Sequence, residues 1–330
     1  MMSPYTLVVL VAFVGLGSVA LYAVFGGADF GGGVWDSLAS GPRRDEQREL
    51  IEHAVGPVWE TNHVWLIFLV VLLFTCFPPA FAALATGLFV PLTFALAGII
   101  LRGAAYAFRA SATFDPGLSG FWGHVFGIAS IITPFFFGTA VGGLTVGGYA
   151  WNSPFALGTG ALAVVLCAQI AAIFLTLETA ESALREDFRR RAIGSTLALA
   201  AMGGLLLTLA RVTSPATFAA LTRPEARAGV AVAMLLGLLV LALLFAGRLL
   251  AARFVVALET FAVLAGWYAE QAPYIIPGTL TYRAAAAPPI TLEVFLWFTA
   301  AGGVVLVPSL LLLFRVFKSE PQAPASDEAG

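Results

Sequence analysis

Charge is scarce in this sequence. Only 11% of its 330 residues are Asp, Glu, Lys or Arg, less than half the roughly 25% of soluble domains. The formal net charge of −2 leaves no basic footprint for nucleic acid, which excludes DNA and RNA as partners. Cysteine is equally thin. Cys76 and Cys167 both lie inside apolar runs and no C-x-x-C pair occurs, so they read as two buried hydrophobic thiols. There are three histidines, His53, His63 and His124, and beyond the first two residues the only methionines are Met202 and Met234. Haem iron takes His, Met, Cys or Tyr as an axial ligand. No H-x-x-x-H, no histidine pair at metal-ligand spacing and no phosphate-binding glycine loop with its lysine occurs. Metal binding and electron chemistry within this chain alone are not expected.

What the chain has instead is apolar surface. Hydrophobic residues make up 60%, against roughly 45–50% in soluble domains. They fall into runs of about 20 residues, the length a helix needs to cross roughly 30 Å of hydrocarbon. The pattern predicts an all-α polytopic membrane protein of about nine transmembrane helices in bundles, with spans near 5–25, 57–77, 80–101, 121–142, 155–177, 193–211, 228–247, 254–275 and 292–314. Pro78-Pro79 parts the second from the third, because neither proline continues a helix. The opening MMSPYTLVVL has no basic segment before its apolar run and reads as a retained first span. Residues 1–317 form a single integral membrane domain, and 318–330, with no apolar face to bury, read as a disordered cytoplasmic tail. Assigning alternate connections to opposite sides puts 13 of the 17 basic residues on one side. That asymmetry predicts an N-out, C-in orientation.

Ionisable residues inside spans are costly, so each is a candidate for function. In FGGADFGGG, residues 25–33, Asp29 sits among five glycines at the inner end of the first span. Glycine lets the backbone bend and lets a neighbouring helix approach closely; a flexible helix exit with a solvated aspartate is the plainer reading. In PVWETNHVWL, Glu60 and His63 are three apart and share a helix face, as Trp59 and His63 do at four. A carboxyl group there suits a proton carrier, although a carboxylate is also favoured at any helix N-terminus. In LRGAAYAFR, Arg102, Tyr106 and Arg109 form one stripe. Arg102 closes the third span at the depth of Asp29 and Glu60, so these three could form a buried cluster. Glu259 and Glu270 lie on one stripe of the eighth span, roughly 16 Å apart along its axis, with Glu259 inside the hydrocarbon. Glu178, Glu181 and Arg185 make a shared face that surface pairing explains well.

These motifs together resemble subunit II of the cytochrome bd-type quinol oxidases, most of all the shorter, cyanide-insensitive branch. GGADFGGG, PVWETNHVWL, LRGAAYAFR and APYIIPGTLTYRAAAAPPITL occur in the family's order, and the likeness covers nearly the whole chain. The resemblance implies a nine-span, haem-free subunit in a bacterial cytoplasmic (inner) membrane. It would pair pseudo-symmetrically with a subunit I that carries haem b, haem d and the quinol site. Its work would be to complete the complex and to conduct cytoplasmic protons towards the site where dioxygen is reduced to water. Asp29 matches the family's aspartate, and Glu60 occupies a position that is usually aspartate. His63, Thr61 and Ala107 depart from the usual pattern, and the missing acid at 107 weakens a relay along the third span. The proton-path candidates are therefore Asp29, Glu60, His63, Arg102 and Glu259, with no catalytic group in this chain. Membrane lipid, quinone and a small accessory subunit are further expected partners. The competing readings are a secondary transporter, disfavoured by the odd span count and the lack of an inverted repeat, and an orphan paralogue without a haem-bearing partner.

Overall fold

The computed structural model describes residues 2–55, 59–111 and 116–317. The chain is a helical bundle. In order it forms α1 (Pro4–Ser37), α2 (Arg44–Val55), α3 (Trp59–Asn62), α4 (Val64–Cys76), α5 (Pro78–Gly87), α6 (Phe89–Ser111), α7 (Pro116–Val146), α8 (Pro154–Leu175), α9 (Ser182–Thr213), α10 (Pro215–Leu221), α11 (Pro224–Phe245) and α12 (Leu249–Gln271). A small antiparallel hairpin, β1 (Tyr274–Ile276) with β2 (Leu280–Thr281), follows. Then come α13 (Tyr282–Ala285) and α14 (Pro289–Phe317). The predicted tail, 318–330, lies outside the described residues.

Proline sets many of the boundaries. The helices α1, α5, α8, α10 and α11 each carry proline at their first turn, where its missing N–H costs nothing. Ser3 and Ser153 cap α1 and α8 by accepting the backbone N–H of Thr6 and Ala156, at 3.1 and 3.2 Å.

Among the described residues, eight helices are long and apolar enough to cross a bilayer. The second predicted span is not one of them. Glu60–Cys76 makes with Arg44–Val55 a pair bent by 49° that counts as a ninth crossing only if taken together. The third predicted span, 80–101, also divides. The two prolines open the short α5, and the long helix α6 runs on to Ser111. Arg102 consequently lies inside a helix rather than closing one.

The first predicted span, 5–25, extends to Ser37, and the glycine-rich segment is helical throughout. Close packing outweighs the helix penalty of roughly 1 kcal/mol per glycine. A Cβ on Gly31 would stand 2.5 Å from the carbonyl carbon of Cys167 on α8, and one on Gly32 would stand 3.0 Å from Val55 Cγ2 on α2. The glycines let α1 sit deep between α7 and α8, and the Trp35 indole N–H donates to the Ala168 carbonyl at 2.7 Å across that seam.

Two helix groups result. α1, α4, α6 and α7 form one, α8, α9, α11 and α12 the other, and α1 and α7 both pack on α8 to join them. The second group buries Ile170, Ile173, Val240, Leu244 and Val256. At the end remote from the arginines, Leu7, Val11, Leu72, Phe77 and Leu292 close over Ile275 and Ile276 of the hairpin. Trp267 and Gln271 of α12 both donate to Thr145 Oγ1 of α7, at 2.9 and 3.3 Å. Both cysteines are free and buried. α14 leans on α4 and α1 with most of its apolar side chains exposed.

Candidate functional site

The first helix group encloses a polar core built on α1. The Asp29 side chain is 3% exposed. Its Oδ2 accepts the Asn62 amide N–H at 2.6 Å, and the same amide nitrogen reaches the Phe25 carbonyl at 3.3 Å. Arg102, 1% exposed, is the largest fully buried side chain. One of its Nη2 hydrogens goes to the backbone carbonyl of Asp29 at 3.0 Å, and its Nε–H goes to Ser130 Oγ at 3.2 Å. The guanidinium is held between the Phe30 and Phe126 rings, 5.3 and 4.9 Å from their centroids. A cation buried this way needs both its hydrogen bonds and its aromatic faces to offset the loss of water.

Of the three residues expected to cluster, the structure joins two. Asp29 and Arg102 meet; Glu60 does not join them and is exposed. Asn62 occupies the place beside Asp29. The reason is helical: residues two apart lie on nearly opposite faces, so burying Asn62 against α1 turns Glu60 outward. His63, between α3 and α4, is half-buried, with Nδ1 3.3 Å from the Tyr22 hydroxyl. His53 and His124 are on the surface, each bonded through Nδ1 to a carbonyl four residues earlier.

Two turns along, the arrangement repeats. Asp36, seven residues after Asp29, is buried and takes Arg109, seven after Arg102, at 3.2 Å and Arg48 at 3.3 Å. Arg109 also reaches Glu52 at 3.4 Å. Asp36 escaped the sequence reading, although the equal spacing of the two aspartates and the two arginines was a signal that could have found it. Glu259 belongs to the second group. It is 5% exposed, and its Oε2 accepts Gln169 Nε2 at 3.1 Å, while the same nitrogen reaches Thr196 Oγ1 at 3.1 Å. The other amide atom, Gln169 Oε1, is buried without a hydrogen-bond partner. Arg185 donates to the Thr179 carbonyl, and Glu178 faces Arg253 at 3.8 Å.

The arrangement gathers two buried aspartates beside arginines in the first group and one buried glutamate in the second. Among the described residues, no three His, Cys, Asp or Glu side chains converge as a metal set. A family model, cytochrome bd terminal oxidase subunit II, matches residues 6–317. The chain belongs to that family. Three relatives of the family show how far the likeness extends. Cytochrome bd ubiquinol oxidase subunit 2 of Bacillus subtilis is 29% identical over 112 residues, 34% of this chain and 32% of its own. Cytochrome bd-I ubiquinol oxidase subunit 2 of Escherichia coli K12 is 29% identical over 126 residues, 38% of this chain and 32% of its own. A probable cytochrome oxidase subunit 2 of Haemophilus influenzae is 26% identical over 176 residues, covering 48% and 46%. The chain thus spans between a third and a half of these relatives' length. In fold, it is similar to a chain in the structure of bd oxidase from Geobacillus thermodenitrificans, with TM-score 0.75 and 13% identity over 97% of this chain and 100% of that one.

Proposed function

We propose that this chain is the haem-free second subunit of a quinol oxidase. It stabilises a haem-bearing partner and carries cytoplasmic protons towards it during aerobic respiration. The observation that carries the reading is the buried Asp29, hydrogen-bonded by Asn62 and roofed by Arg102, on the first helix of a bundle that belongs to the bd subunit II family. Family membership and the bd-oxidase fold favour a partner subunit holding haem b and haem d, with quinol as the substrate of the complex and the inner membrane as its site. Haem d in that partner would supply the oxygen chemistry.

Within this chain the work falls to side chains that bind and release protons. The Asp29 carboxylate takes up a proton at Oδ1 or Oδ2. The Asn62 amide holds Oδ2 at 2.6 Å and fixes its direction. Arg102 brings a fixed positive charge beside it, which keeps a charged carboxylate tolerable in a dry bundle between proton transfers. His63 Nδ1 and the Tyr22 hydroxyl make a second polar contact between the same two segments. Glu60, exposed on α3, would accept protons entering from the cytoplasmic side. Glu259 with Gln169 is a separate protonatable site in the second group.

The test begins with the tagged chain purified in mild detergent from its native membrane. A reduced-minus-oxidised spectrum with haem b and haem d bands, and a larger polypeptide alongside, is expected. A colourless preparation without a partner would overturn the reading in favour of a transporter or an orphan paralogue. In the assembled complex Asp29→Asn, which keeps the shape and removes the titrating group, should slow oxygen consumption by roughly tenfold or more with the haem spectrum unchanged. Wild-type turnover in that variant would remove Asp29 from the path.

A further inference from the structure

We propose that the Glu178–Arg253 ion pair is the water-side inlet of the Asp29 site, an assignment that rests on the proton-path reading above. A cavity of about 60 Å³ lies between α1, α2, α8 and α12, and Asp29, Asn62, Glu178 and Arg253 are its four polar side chains. That volume holds a few water molecules, and a buried water needs two to four polar partners, which this lining provides. The polar groups are graded in wetness. The Arg253 and Glu178 side chains are 30% and 19% exposed, and Asp29 is 3% exposed. Glu178 follows the last turn of α8 and Arg253 belongs to the first turns of α12, so both stand at the arginine-rich end of the bundle.

The pair is built to open. Its 3.8 Å separation exceeds hydrogen-bonding distance, and a partly exposed ion pair of this kind contributes little to stability. Arg253 has a second place to rest, since its guanidinium carbon lies 4.5 Å from the centroid of the Phe174 ring, itself part of the cavity wall. Glu178 can therefore lose its charge without stranding the arginine.

The transfer is written with protons balanced. A hydronium at the mouth gives its proton to a Glu178 carboxylate oxygen; one O–H bond of the hydronium breaks and one to the carboxylate forms. The neutral acid then passes that proton to a cavity water as the water gives one of its own to the Asp29 carboxylate. Glu178 is a carboxylate again, the water is unchanged, and one proton has moved inward.

The experiment uses the assembled oxidase reconstituted in vesicles, reading proton uptake after an oxygen pulse, steady-state turnover, KM for quinol and the haem spectrum. Glu178→Gln should slow uptake and turnover by roughly tenfold or more, with KM and the spectrum unchanged, and Glu178→Asp should recover most of the rate. If Asp29→Asn is slow and Glu178→Gln runs at the wild-type rate, the inlet lies elsewhere and the proposal is overturned. If Asp29→Asn itself runs at the wild-type rate, the proton-path reading fails first. Should Glu178→Gln not assemble, Ala54→Cys on the cavity wall serves instead, the two native cysteines being buried. Modification by a small water-soluble thiol reagent after assembly should block proton uptake. A thiol that stays unmodified, or is modified without loss of rate, overturns the inlet.

Discussion

Gly31→Ala probes the seam on which the candidate site depends. The added methyl group would stand 2.5 Å from the Cys167 carbonyl carbon and 2.6 Å from Ala171 Cβ. Carbon atoms in contact sit roughly 3.5–4.0 Å apart, so α1 and α8 must separate by about 1 Å. The obstructing atoms are backbone and a Cβ, which no rotamer change can move. Overpacking of this kind costs about 1–3 kcal/mol, and separation also strains the 2.7 Å bond from Trp35 to Ala168. Gly17, on the same helix, has nothing within 4 Å of its would-be Cβ, so Gly17→Ala is the matched control; helix propensity makes it neutral or stabilising by about 1 kcal/mol. Thermal unfolding of the assembled complex, followed by tryptophan fluorescence, should give a lower midpoint for Gly31→Ala than for Gly17→Ala, with a parallel loss of turnover because the Asp29 cavity borders the seam. Equal midpoints and equal turnover would refute the reasoning, since the helices would then not be in contact at that glycine.

Four further substitutions separate charge from packing. Gly237→Ala would bring a Cβ 2.8 Å from Glu259 Oε1; the carboxyl group can swing away, so the unfolding midpoint should change little, the lost hydrogen bond of about 1 kcal/mol being offset by helix propensity. Turnover should fall alongside that of Glu259→Gln, and a slow Glu259→Gln with a wild-type Gly237→Ala would show that the notch at Gly237 does not position the acid. Asp36→Asn leaves Arg48 and Arg109 facing a neutral amide and should destabilise the complex by about 1–3 kcal/mol in the same melt. Arg48→Gln should cost less, because Arg109 still pairs with Asp36; the reverse order would put the main strength of the cluster on Arg48.

Much of the architecture was legible in residue order. Apolar runs located the helices, and prolines at first turns marked several starts, as at Pro154 and Pro224. Five glycines around Asp29 allowed two readings, a flexible exit and a close helix approach, and intrinsic propensity cannot decide between them because it does not see the neighbour that needs the space. The same limit hid that Asn62 rather than Glu60 is the residue of this segment buried against α1.

Composition and patterning by themselves determined a helical membrane chain with a handful of intramembrane charges, because the cost of burying backbone and charge in lipid leaves few alternatives. Tertiary structure alone decided which of those charges meet. Asp29 is joined by Asn62 rather than Glu60, Arg102 grips a backbone carbonyl, and Glu178 faces Arg253 on α12. Such pairings depend on the rotation and depth of one helix against another, set by close contacts such as Gly31 on Cys167. Those contacts lie far apart along the chain, where spacing within a single helix carries no information.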